Sequence, residues 1–212
     1  MRKLPFPPPT SKVKPRYHRV NRGSEFFRIY DPSPPYSPGP LTFRHNGPRL
    51  RFDHHPRLRG KAADHPRRAI WYGAFAFAAC VAEVFGDDRE IRLNPYMVAR
   101  VRVLRHLKLL DLDDGAMSNG TFAALASSRN RRLTQAWSSY FYEANAYGRV
   151  DGLYYRSAHN SGPCVALYER SADALTLLDA LNLEDPVFRF EIAVAQRRYG
   201  MSLFEIREMR QS

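Results

Sequence analysis

Between Ala69 and Gly86 the chain carries one charged side chain, Glu83, in an otherwise apolar and aromatic run. The run from Ala69 to Val84 is too short to span a bilayer, so burial in a protein core is its expected fate. Ala69–Tyr72 reads as a buried strand. Gly73 gives way to a helix-favouring run from Phe75 to Phe85, closed by Gly86 as C-cap. Glu83 then sits near the helix C-terminus, where the macrodipole disfavours an anion. A carboxylate there must pair with a cation, take up a proton, or face a polar cavity. A buried Glu–Arg pair and a functional site are the two habitual solutions. Tyr72, at the strand-to-helix junction, either fills the core or lines a site by stacking.

The rest of the chain alternates short elements. Phe26–Tyr30 reads as a strand, ended by the turn-rich DPSPPYSPGP of residues 31–40. Leu41–Arg44 and Leu50–Asp53 are candidate short strands, and His54–Arg68 a polar, basic loop. Strands are expected at Ala99–Val103, Leu107–Leu112, Gly152–Tyr155 and Cys164–Tyr168, with a last one around Phe204 and Ile206. A helical pattern covers Leu133–Tyr147. Asp185–Pro186 opens the clearest helix, with Asp as N-cap, Pro at the first turn and Gly200 at its end. Mixed elements without regular βαβ alternation point to an α+β fold, a mixed central sheet with flanking helices. Residues 1–24 read as a basic, proline-rich arm, with order beginning near Glu25 and one domain over 25–212.

Charge is concentrated at one end. Of the net charge of +12, all the excess lies in residues 1–68, which hold 16 Lys and Arg against 4 Asp and Glu. Such asymmetry fits an anionic partner or a merely solvated basic arm. Cys80 and Cys164 lack metal-ligand spacing, and reduced thiols in an intracellular chain are the simpler expectation. The opening MRKLPFPPPT has no apolar core, so no secretory signal is expected, and a soluble cytoplasmic protein follows.

Arg28 lies inside the apolar strand FFRIY, and Arg51 between Leu50 and Phe52. Arginine suits phosphate, because its planar fork donates paired hydrogen bonds and keeps its charge; both could equally face solvent from half-buried strands. His54, His55 and His65 with Asp53 and Asp64 raise a metal reading. Adjacent histidines chelate one ion poorly, and no metal is expected. No Gly-x-Gly-x-x-Gly, Walker loop or nucleophile elbow is present.

Read in order, EFFRIYDP (25–32), RFDHHP (51–56), AIWYGAFAFAACVAEVFGD (69–87), LLDLDDG (109–115) and GLYYRSAHNSGPCVALYERS (152–171) resemble the RES domain family. Arg28, Glu83 and Ser157 fall at the family's Arg, Glu and Ser positions, with Tyr72 at matching spacing. The resemblance implies an ADP-ribosyltransferase-like fold and an NAD-degrading toxin of a toxin–antitoxin pair. Such an enzyme breaks the nicotinamide–ribose bond by hydrolysis or phosphorolysis and is held in check by an antitoxin, often with an Xre-like helix-turn-helix. NAD is then substrate rather than cofactor, with inorganic phosphate a possible co-substrate. The implied roles are Glu83 for the oxocarbenium-like charge, Arg28 and Arg51 for pyrophosphate, Tyr72 for nicotinamide, and Ser157 for ribose or carboxamide. A homo-oligomer is compatible with this reading. Protein ADP-ribosylation is the rival within enzymes. A nucleic-acid-binding protein using the basic third is the rival outside them, though no familiar nucleic-acid motif accompanies the charge.

Overall fold

The computed structural model describes residues 5–34 and 39–204. The first residues of the arm, the middle of the proline-rich turn at 35–38, and Ile206 lie outside the described residues. Among the described residues, twelve strands and three α-helices follow one another as β1 (Tyr17–Val20), β2 (Glu25–Tyr30), β3 (Asn46–Gly47), β4 (Ala63–Asp64), β5 (Ile70–Ala74), α1 (Phe77–Phe85), β6 (Glu90–Arg92), β7 (Met97–Val103), β8 (Leu107–Asp111), α2 (Arg131–Glu143), β9 (Gly152–Arg156), β10 (Pro163–Tyr168), β11 (Leu175–Asn182), α3 (Arg189–Tyr199) and β12 (Ser202–Phe204). The fold is α+β, as the irregular alternation of elements predicts.

Eight strands form one mixed sheet in the order β1-β8-β9-β10-β5-β2-β7-β11. Only β8 and β9 run parallel; the other pairings are antiparallel. The short connections force this sheet to curl. β1 and β2 stand five positions apart, roughly 24 Å in a flat sheet at the usual strand spacing. The link 21–24 between them spans at most about 17 Å fully extended. The still shorter link 104–106 joins β7 to β8 across the same number of positions. Curling gives the sheet two dissimilar faces. Inside the curl, Val20, Phe26, Trp71, Val101, Leu109, Val165 and Leu167 from six strands pack on one another. On the outer face, Ile70, Leu153, Ala166 and Tyr168 meet Val81 and Phe85 of α1, Trp137 and Phe141 of α2, and Ile192 of α3. The helices therefore lie on one face of the sheet.

Several local expectations need correction. Order begins before Glu25: β1 is an edge strand on β8, and the segment leading to it is strapped down by Trp137 Nε1–H to the Pro5 carbonyl (3.0 Å) and by Lys14 N–H to the Ser118 carbonyl (2.9 Å). Leu41–Arg44 contributes only a single bridge, Arg44 to Ile70, and Leu50–Asp53 is a turn whose backbone amides serve a carboxylate instead of a ladder. β11, eight residues long, has no counterpart in the sequence reading, because its half-exposed LTLLDALN lacks clean alternation and bulges between Leu177 and Asp179. The α2 helix ends at Glu143, before a short 3-10 turn at Asn145–Tyr147. Asp185 caps by accepting from Val187 N–H, but the turn it opens is 3-10 before α3 begins. Gly200 ends α3 in the left-handed region (φ 62°), where glycine carries no steric cost. Among the described residues, no helix is long and apolar enough to cross a membrane.

Candidate active site

The site starts from a split in the sheet. β2 pairs with β7 along six residues and β5 with β10 along five, yet β2 and β5 share only the pair Phe27–Ala74. At their contact Gly73 is required: a Cβ there would lie 3.1 Å from the Phe27 carbonyl and 2.4 Å from the Trp71 ring. Beyond it the strands part, and α1, which follows β5 after a two-residue link, supplies the missing partners. Cys80 Sγ accepts from the Ile29 N–H (3.2 Å) and faces the Phe27 carbonyl (3.5 Å), so β2's edge is satisfied by a helix side chain rather than a strand.

Arg28 occupies this fork. It is 7% exposed, its guanidinium lies 5.3 Å from the Trp71 ring centre, and Nη1 reaches the Tyr72 carbonyl at a long 3.4 Å. Its Nε is buried without a hydrogen-bond partner, and it forms no ion pair among the described residues. Burial lowers its pKa to about 10, with Arg44 adding to the effect. A buried guanidinium without a carboxylate is costly, and an anionic ligand would relieve that cost.

Glu83 projects from α1 one turn beyond Cys80, and Cys80 is within electrostatic reach of both Glu83 and Arg28. The buried Glu–Arg pair considered from sequence is not formed: Glu83 makes no ion pair among the described residues. Its Oε2 accepts from the Tyr155 hydroxyl at 3.4 Å, and its Oε1 is buried without any partner. Tyr155 is held well above the usual tyrosine range by burial, then by Glu83, so it remains a donor. Its ring is braced edge-on by Phe52 at 4.9 Å.

Tyr72 is locked at its hydroxyl, which donates to Asp53 Oδ1 (2.9 Å) and accepts from Phe52 N–H (3.0 Å), while the residue as a whole stays partly exposed. Arg51 donates to the Ala126 carbonyl, has no carboxylate partner among the described residues, and is close enough to influence Tyr155. Ser157 follows β9 two residues after Tyr155. It is buried, its Oγ accepts from His159 N–H (3.2 Å), and its own proton has no protein acceptor among the described residues. Arg28 and Tyr72 thus meet at the fork, Tyr155 links Glu83 to the neighbourhood of Tyr72 and Arg51, and Ser157 closes the adjoining turn.

Sequence reasoning missed Tyr155 and the use made of Asp53. Tyr155 was hidden in GLYYR as a strand residue; the signal was its spacing of two from Ser157, which puts both on one face. Asp53 is fully buried and accepts with both oxygens from Arg44 Nη2 (2.8 Å each), and also from the amides of Arg49 and Leu50 and from Tyr72. The neighbouring histidines are committed likewise, His54 Nε2 to Glu169 (3.1 Å) and His55 Nε2 to the Arg44 carbonyl (3.1 Å). No group of three metal-ligating side chains is assembled among the described residues.

Burial keeps both rings neutral: it lowers the pKa of His54, and that of His55 to about 4 against the partial opposition of Asp53. The unfolded chain protonates these histidines near pH 6.5 and the folded one does not. Their stabilisation is therefore full above pH 6.5 and is lost as pH falls toward 4. The urea midpoint is expected to drop across that window, with a shallower slope in His55→Gln; equal slopes would show that His55 does not contribute.

At this site, then, a split α+β sheet buries an arginine with no ion pair among the described residues, and the helix after β5 carries a carboxylate with one unpartnered oxygen. A family model, the RES domain, matches residues 26–191. The chain belongs to the RES domain family, which is associated with NAD-utilising activity and with toxin–antitoxin systems. No curated protein and no solved structure matches it.

Proposed function

We propose that this protein is an NAD-degrading toxin of a toxin–antitoxin pair, acting in the cytoplasm and cleaving the nicotinamide–ribose bond by hydrolysis or phosphorolysis. One observation carries the reading: a buried, carboxylate-free Arg28 at the sheet fork, with the orphaned Oε1 of Glu83 on the adjoining helix. A dinucleotide supplies what each lacks. Its pyrophosphate would neutralise Arg28, helped by Arg51, and its nicotinamide ribose would offer hydroxyls or developing positive charge to Glu83.

In this mechanism Tyr155 holds Oε2, leaving Oε1 toward the ribose. As the glycosidic C–N bond breaks, its electron pair leaves with neutral nicotinamide, and positive charge spreads over the ribose, where the Glu83 carboxylate stabilises it. Water then adds at the anomeric carbon and loses a proton to solvent, giving ADP-ribose. Phosphate adding instead gives ADP-ribose-1″-phosphate. The partly exposed Tyr72 ring, fixed through its hydroxyl, stacks on nicotinamide, and Ser157 donates its free proton to the ribose or carboxamide. The antitoxin, one with an Xre-like helix-turn-helix in this family's manner, acts by covering the fork.

The test is NAD consumption by the purified protein with and without phosphate, with chromatographic separation of products. Nicotinamide with ADP-ribose means hydrolysis, and the 1″-phosphate means phosphorolysis. Label from an NAD analogue retained on protein would mean ADP-ribosyl transfer. A folded sample that neither consumes nor binds NAD overturns the reading. Arg28→Ala is expected to raise KM for NAD by about 10-fold or more, the scale of a lost charge-assisted contact. Its melting temperature should fall little, because removing an uncompensated buried charge offsets lost packing. A large fall with unchanged KM would make Arg28 structural.

A further inference from the structure

The exposed face of α3 is apolar where solvent exposure would predict polarity. Phe190 is 77% exposed and Val194 39%, with the small Ala193 between them, and with Arg197 and Arg198 they line a shallow surface groove. At 100° per residue, Phe190, Ala193, Val194 and Arg197 fall on one stripe, while Glu191 and Arg198 fall together on one flank of it, two turns apart. Glu191, Arg197 and Arg198 form no ion pair among the described residues.

We propose that this face is the contact with a second copy of the chain, α3 packing antiparallel on α3 about a two-fold axis near Ala193 and Val194. The charge pattern selects this occupant. A two-fold axis perpendicular to the helices brings like flanks together with directions reversed. Glu191 of each copy then faces Arg198 of the other, and Phe190 of each lies over the other's Arg197. A parallel two-fold would instead set this flank against the other copy's opposite flank, so Glu191 and Arg198 would not meet. Ala193 at the axis permits close approach of the helices. One helical stripe is small for an interface, so the dimer is weak and concentration-dependent, and salt weakens it further by screening the flanking pairs. This contact is independent of the NAD reading, since α3 carries none of the residues assigned to the fork.

Sedimentation velocity of the full chain over a range of concentrations at low salt decides the matter. The wild type should show a monomer–dimer equilibrium. Glu191→Arg or Arg198→Glu alone should raise the dissociation constant about 10-fold or more, each turning two attractions into repulsions. The double exchange E191R/R198E should restore it. Phe190→Glu should leave monomer, and all three positions are exposed, so folding, checked by melting temperature, should be unaffected. A wild type that stays monomeric throughout, as it would if another protein covers α3, overturns the proposal. So does a dimer indifferent to these changes or not rescued by the double exchange.

Discussion

Glu83→Gln is expected to lower the rate of NAD cleavage by about 100- to 1000-fold, the usual cost of losing one well-placed electrostatic stabiliser. The substitution isolates charge from shape. Glutamine keeps an oxygen to accept from Tyr155, so the side chain stays anchored, but it presents no anion to the ribose. No ion pair is lost, because Glu83 has none among the described residues, and the melting temperature should therefore hold or rise. The rate is read from nicotinamide release at saturating NAD, with the thermal midpoint measured on the same sample. Near-normal turnover in a folded variant would remove Glu83 from the mechanism. A collapse of stability with proportionate loss of rate would make it a structural residue.

Asp53→Ala carries the largest expected effect on stability, a loss of about 3–5 kcal/mol, as found when one member of a buried pair is removed. Asp53 is fully buried, and its two oxygens serve the Arg44 guanidinium, two backbone amides and the Tyr72 hydroxyl. Deleting it leaves Arg44, 17% exposed at its side chain, without its counter-ion and strands donors that water reaches poorly. The Tyr72 hydroxyl would also lose its acceptor, so the ring facing the fork would be freed and NAD binding should weaken even where the chain still folds. Urea denaturation measures the first effect and an NAD titration the second. A change under about 1 kcal/mol would show that the Arg44–Asp53 knot is not what holds the turn. Comparison with Arg44→Ala and the double variant then separates the pair's coupling from the cost of the orphaned partner.

Much of the frame was legible because strong local signals agree with the tertiary result. The apolar run 70–85 could only be core, and it became β5 and α1. Phe26–Tyr30, 99–103 and 164–168 read as strands and are strands. Failures fell where context overrides local pattern. β11 is an edge strand with one face in water, so its residues show little alternation. Leu50–Asp53 has strand-like composition, yet the amides of Arg49 and Leu50 turn inward to Asp53 and that of Phe52 to the Tyr72 hydroxyl. Tyr17–Val20 sits in a basic, polar segment and becomes a strand only because β8 offers a free edge.

Local pattern was enough to show that a carboxylate would be carried on an apolar helix beside a buried strand, that an arginine would lie within another apolar strand, and that the fold would be α+β with the pattern of the RES domain. These follow from short-range facts: periodicity, the cost of burying charge, and residue spacing. That Glu83 and Arg28 do not neutralise each other emerged from long-range packing alone. That outcome depends on a sheet curled by short links, on α1 parting β2 from β5 so that Cys80 takes the place of a strand, and on Tyr155, seventy-two residues from Glu83, occupying one carboxylate oxygen and leaving the other open. Long-range contacts of this kind leave no periodic trace in the chain, because nothing in a local pattern records which buried charge will find a partner.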